Sequence, residues 1–131
     1  MVENRYRGAC ESLTAAGVRL DLVECPLNYA GGIGMIQETA LPSGEFGIIA
    51  ANDWLAVGLH AGLLSRRDRS LARAHIVSFD GLPLAAAPSL GIASLAAPVD
   101  AIARDAIAEI RRLENVRAPG RAIRYALDWR A

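Results

Sequence analysis

The chain is 131 residues long, 53% apolar and 21% charged, which fits one globular domain and excludes general disorder. Fourteen basic residues, all of them arginine, balance fourteen acidic ones, so the positive footprint of a nucleic-acid binder is missing. The opening MVENRYRG is polar where a secretory leader needs an apolar run, and the apolar-rich stretch 82–99 is broken by Pro83, Pro88 and Pro98, so no membrane span is offered.

Residues 3–16 place Tyr6, Cys10 and Leu13 on one side at helical spacing, and Gly17 stops the pattern. VRLDLVEC, 18–25, alternates apolar and polar and reads as a strand. Residues 26–34 read as loop, and 35–41 as a helix that ends at Pro42. FGIIAA, 46–51, is a short apolar run of the kind buried on both faces of a sheet. Asn52 caps a helix through DWLAVGLHAGLLSR, with Leu55, Val57, Leu59 and Leu63 directed inward. AHIVSF, 74–79, is a second buried strand, and Asp80 follows it. Residues 82–91 are loop, IASL at 92–95 is a short strand, and 99–114 is a long amphipathic helix. The tail RAIRYALDW alternates and reads as a terminal strand.

Strand and helix therefore alternate, and the fold class is α/β, a parallel sheet covered on both faces. Asn52 and Asp53 follow one buried strand, and Asp80 follows the next. Ligands of open α/β sheets bind at such carboxyl ends. Two carboxylates there suit an acid–base pair, a magnesium site, or acceptors for a polyol. Asp53 has a simpler role in the first helical turn, where it favours the helix dipole, and Asn52 a simpler role as an N-cap.

Other motifs carry less. GGIG at 31–34 lacks the third glycine of a dinucleotide loop and has no GK[ST], so it reads as a loop entering a helix. His60 and His75 have no metal spacing, and no GxSxG anchors a nucleophilic serine. Cys10 and Cys25 lack metal or redox spacing and read as thiols of a cytoplasmic protein. No catalytic residue, metal or cofactor is expected.

Four segments resemble the lactose/galactose-repressor (LacI/GalR) family of regulators. FGIIAANDWLAVGLHAGLL is similar to the family's strand followed by N-D-x-x-A-x-G-x-x-x-A. IVSFDGLPLAAAPSLGIASLAAPVDAIARDAI resembles V-G-F-D, then P-x-L, then T-T-V, then a proline and a long helix. RYRGACESLTAAGV resembles the R-x-x-G-F-x-x-A-L-x-x-x-G-I helix, and YALDWRA the last strand, which closes on an arginine. The sequence departs from the pattern at Ser78, where the family has glycine, at RSLARAH, where it has a V-P-x-D turn, and at Ile92-Ala93-Ser94, where its hinge strand is threonine-rich.

The resemblance implies part of a periplasmic-binding-protein-like effector domain. Residues 1–94 would form the second lobe without its first strand, 95–118 a segment crossing to the first lobe, and 119–131 a terminal return strand. A DNA-binding headpiece is absent from this stretch, and DNA contact would need it. Carried over residue by residue, Arg5, Tyr29, Asn52 and Asp80 would line the effector cleft. An arginine fork and a carboxylate pair with vicinal hydroxyls, while a flat ring packs on the apolar face of a sugar.

The implied function is binding of a sugar or similar small polar effector, without enzymatic activity, in a cytoplasmic LacI-type regulator. The implied partner is a second copy, meeting the first through helix 53–65 and loop 82–90, where Trp54, Val57, Leu82, Leu84 and Leu90 form an apolar patch. The competing class is an extracytoplasmic sugar-binding protein of a transporter, which shares the fold. A third is a metal-dependent enzyme using Asp53 and Asp80.

Overall fold

The computed structural model describes residues 2–114 and 122–130. In chain order the elements are α1 (Val2–Ala15), α2 (Tyr29–Glu38), β1 (Phe46–Ile49), α3 (Asp53–Ser65), β2 (Ala74–Asp80), β3 (Ile92–Ala96), α4 (Val99–Glu114) and β4 (Asp128–Arg130). Short 3-10 turns at 70–73 and 88–90 join α3 to β2 and β2 to β3.

The four strands form one sheet in the order β1-β2-β3-β4. The first three run parallel, with Phe46 beside Ala74 and Ile76 beside Ile92. β4 returns antiparallel, pairing Ser94 with Arg130 and Ala96 with Asp128. The terminal strand expected from RAIRYALDW is thus limited to its end: residues 122–127 are not strand. Residues 115–121 of the expected crossing segment and return lie outside the described residues.

The core lies on one face of the sheet. Ile76 and Ile92 point to Leu55, Ala56, Leu59 and Leu63 of α3, with Ile36 of α2 in the same cluster. On β2 and β3 burial alternates, so the face carrying Ile76, Ser78, Ile92 and Ser94 is sealed and the other is half-buried. β1 is the rim of the sheet and leaves Gly47 and Ile49 exposed, so FGII is not buried on both faces as the apolar run suggested.

Two local expectations fail for identifiable reasons. Residues 18–25 belong to no strand. Alternation signals a strand only when a neighbour supplies the hydrogen-bond ladder, and here Val18, Leu22 and Val23 stay exposed. The second helix begins at Tyr29 rather than 35, because Asn28 caps it by accepting from Gly31 N at 2.8 Å. Its glycines serve contact. A Cβ on Gly31 would sit 2.0 Å from the Pro26 carbonyl oxygen, and one on Gly32 2.5 Å from that of Leu55. From the other side, a Cβ on Gly58 would sit 2.1 Å from the Tyr29 carbonyl oxygen. Gly32 and Gly58 therefore form a close helix–helix seam, and Gly31 a close approach to the loop before α2.

α4 is amphipathic, and none of its residues is buried. Its half-buried positions are Ala101, Asp105, Glu109 and Arg112, and Tyr125 donates to Asp105 at 2.8 Å. The side bearing Val99, Ile102, Ile107, Ile110 and Leu113 is open. Among the described residues no helix is long and apolar enough to cross a membrane.

Candidate functional site

Parallel strands β1 and β2 end side by side, and the chain leaves each through a polar residue: Asn52 after β1, Asp80 at the tip of β2. Arg5, on α1, joins these ends. Its guanidinium donates to the Ala51 carbonyl through Nη1 and to Asp80 Oδ1 through Nη2 at 3.1 Å. The same guanidinium lies over the Phe79 ring, 4.6 Å from its centroid, a favourable placement of a cation on a π-face. Three of the four residues expected in a cleft, Arg5, Asn52 and Asp80, thus meet at one edge of the sheet.

Asn52 is engaged at both ends. Its Oδ1 accepts from Leu55 N at 2.8 Å, the N-cap of α3, and its Nδ2 donates to the Leu27 carbonyl at 3.2 Å. That second bond fixes the chain two residues before Tyr29. Tyr29 opens α2 with its backbone against Gly58, and its side chain is 44% exposed.

Asp53 does not take the part that the competing two-carboxylate reading would give it. It is 1% exposed and its acceptor positions are taken from within. Oδ1 accepts from Ser78 Oγ at 2.5 Å and from Ser94 Oγ at 2.6 Å, while Oδ2 accepts from Leu82 N at 2.6 Å. Ser78 and Ser94 are cross-strand partners on the sealed face. Ser94 Oγ also accepts from Gly81 N at 3.0 Å. Two serines directed into an otherwise apolar interior need a polar partner, and a buried carboxylate needs donors; each requirement meets the other. Asp53 and Asp80 therefore do not face one open site, and the geometry gives no support to a shared metal. Among the described residues no group of three His, Cys, Asp or Glu side chains is placed to hold an ion.

Sequence reasoning missed this cluster and the Phe79 platform. The cluster left a trace: Ser78 and Ser94 each occupy an inward position of an apolar strand, where a lone hydroxyl demands a partner. The platform left none, because it depends on α1 reaching across the strand ends.

Asp80 has φ 111° and Gly81 φ 71°. The first is rare for a residue with a side chain and marks a held turn. The second demands glycine, and a Cβ there would also sit 2.3 Å from that of Ala96. Beside this turn an open depression is lined by Asp80, Gly81, Pro98, Asp100, Arg104 and Asp128. A separate one, between residues 23–26 and α2, includes Cys25, whose thiol is pushed up by burial.

No family profile and no curated protein matches the sequence. Solved structures do match the fold. A LacI family transcriptional regulator from Enterococcus faecalis V583, with bound ribose, superposes with a TM-score of 0.82 at 22% identity, over 98% of this chain and 47% of that one. A LacI family regulator from Enterococcus faecium, also with bound ribose, gives 0.79 at 21%, over 99% and 50%. The Escherichia coli transcriptional repressor ascG gives 0.71 at 20%, over 96% and 46%. This chain therefore has the periplasmic-binding-protein-like α/β fold of the LacI-type regulators, across about half the length of the chains it superposes on.

Proposed function

We propose that this chain is an effector-binding and dimerisation part of a LacI-type transcriptional regulator that acts in the cytoplasm, and that it binds its ligand without transforming it. The observation that carries the reading is the meeting of Arg5, Asn52 and Asp80 at the carboxyl edge of a parallel sheet. Arg5 and Asp80 present a donor fork and an acceptor pair of nearly cancelling charge, which suits a neutral, hydroxyl-bearing ligand such as a sugar. Tyr29, exposed on the neighbouring helix, supplies a flat ring for the apolar side of such a ligand. Ribose in two solved relatives of the fold makes it the natural probe.

In this reading residues 1–94 serve as the second lobe, 95–118 cross toward the first and 119–131 return. DNA contact belongs to a headpiece and not to these residues. A second copy meets the first through α3 and loop 82–90, where Trp54 and Leu84 are 53% and 48% exposed. Val57 and Leu90 contribute less, because both pack against the core. The regulator assignment is preferred to a transporter's binding protein because structures sharing the fold are transcriptional regulators.

The test is a ribose titration followed by amide chemical shifts. Arg5, Asn52 and Asp80 are expected to move together, and Asp80→Ala to weaken binding by about 2 kcal/mol or more, since it strands ligand hydroxyls without an acceptor. Shifts absent from that edge at large molar excess, or an affinity unchanged by Asp80→Ala, would overturn the assignment.

A further inference from the structure

We infer that Asp53 is a positioning residue for Asp80: from inside the protein it sets the turn that delivers the Asp80 carboxylate to Arg5. The inference deepens the ligand-site reading above and, as a statement about affinity, rests on it.

Asp80 occupies a backbone conformation, φ 111°, that a residue with a side chain adopts only when its surroundings hold it there. The next two residues are where the holding occurs. Gly81 N donates to Ser94 Oγ at 3.0 Å, and Leu82 N donates to Asp53 Oδ2 at 2.6 Å. Both acceptors belong to one buried unit, because Ser94 Oγ donates in turn to Asp53 Oδ1 at 2.6 Å. Asp53 itself is fixed as the first residue of α3, directly after the cap Asn52. A single carboxylate thus ties the start of α3, the inward faces of β2 and β3, and the turn after β2. Asp80 lies on that turn, and its Oδ1 receives Arg5 Nη2 at 3.1 Å. The side chain that faces the cleft is aimed by one that never reaches it.

The alternative is that Asp53 only fastens α3 to the sheet. Two serines separate these roles. Ser78 and Ser94 both donate to Asp53 Oδ1, so losing either hydroxyl removes one buried bond from the cluster. Only Ser94 also holds the turn, through Gly81 N. Ser94→Ala and Ser78→Ala therefore each remove one bond to Asp53, and Ser94→Ala alone also strands Gly81 N and so releases the Asp80 turn.

The experiment follows the Arg5 guanidinium resonances by nitrogen–proton NMR without any sugar present, with Asp80→Ala marking the broken pair. Ser94→Ala is expected to move these resonances toward the Asp80→Ala positions, and Ser78→Ala to leave them at the wild-type positions, while both variants melt at reduced temperatures, Ser94→Ala the lower of the two. Asp53→Asn, whose Oδ1 can still accept from both serines while its Nδ2 cannot accept from Leu82 N, should move the Arg5 resonances as Ser94→Ala does, and wild-type positions in Asp53→Asn would overturn the inference. Resonances of Arg5 that stay put in Ser94→Ala, or that move as far in Ser78→Ala, would overturn the inference. A ribose arm follows: Ser94→Ala should weaken binding by a factor approaching that of Asp80→Ala, and Ser78→Ala should not. If ribose moves nothing in the wild type, the sugar assignment fails while the sugar-free comparison still decides the role of Asp53.

Discussion

Asp68 shows how much a single side chain holds together at the end opposite the site. Its Oδ2 accepts two bonds from Arg66, at 3.0 and 2.8 Å, and its Oδ1 accepts from Ser70 N at 3.1 Å and from the Ser70 hydroxyl. Arg66 in turn donates to the Ile36 carbonyl at 3.0 Å, so α2, the end of α3 and the entry to β2 share one anchor. The Arg66 hydrogen bonds, followed by those of Ser70, hold the Asp68 carboxyl well below the usual carboxylate range. A folded-state value depressed in this way stabilises the protein above the unfolded value, and that contribution is lost as pH falls below about 4. Asp68→Asn should therefore lower the melting temperature at neutral pH and flatten its decline in acid; parallel wild-type and variant curves would show that Asp68 contributes nothing. Legibility at this scale followed local chemistry. The Asn52 cap and the strand-end Asp80 were readable because each role depends on nearest neighbours, whereas the acceptor of Ser78 and Ser94 is Asp53, on a helix 25 and 41 residues away in the sequence.

Between α2 and α3 the elements approach closely enough to exclude side chains. Gly58 faces the Tyr29 carbonyl, where an added Cβ would sit 2.1 Å from the oxygen, while Gly34 on α2 has nothing within 4 Å. The two positions should respond to alanine with opposite signs. Gly58→Ala forces the helices apart and should cost about 2–3 kcal/mol, as overpacking does. Gly34→Ala meets no obstacle and should gain about 0.5–1 kcal/mol from helix propensity. Urea unfolding of both variants measures this, and equal effects would mean the seam is not rigid. Element types were mostly legible because amphipathic spacing and apolar runs report burial directly. The seam was not, since GGIG carries no periodic signal and a glycine chosen for contact looks like one chosen for a turn. The strand expected at 18–25 failed for the complementary reason: its pattern is real, but a ladder is a property of two segments.

For the molecule as a whole, burial is one-sided. α2 and α3 seal one face of the sheet, while the opposite face is half-buried and α4 turns Ile102, Ile107, Ile110 and Leu113 outward. Exposed apolar area on this scale favours association. The proposed two-fold contact through α3 and loop 82–90 makes a narrower statement about where. Light scattering at low micromolar concentration should give twice the chain mass, and charge introduced at Trp54 and Leu84 should return the monomer; a monomer in the wild type, or a dimer indifferent to those changes, would remove α3 from the contact. The fold class was legible because alternation of helix and strand survives any error in individual boundaries. The one-sided core was not, since an apolar run does not disclose how many of its neighbours are present.

α1 has no buried residue among those described, yet it supplies Arg5. Its half-buried residues are Arg5, Ala9, Cys10 and Leu13, and its local opening should cost less than opening α2 or α3, whose side chains form the core. Site and helix then share one equilibrium. If the proposed site is correct, only molecules with α1 docked are competent, and the observed dissociation constant is the intrinsic one divided by the docked fraction. By the same linkage a ligand that gripped Arg5, as proposed, would also hold α1 on the sheet, and occupancy would be written into the order of that helix.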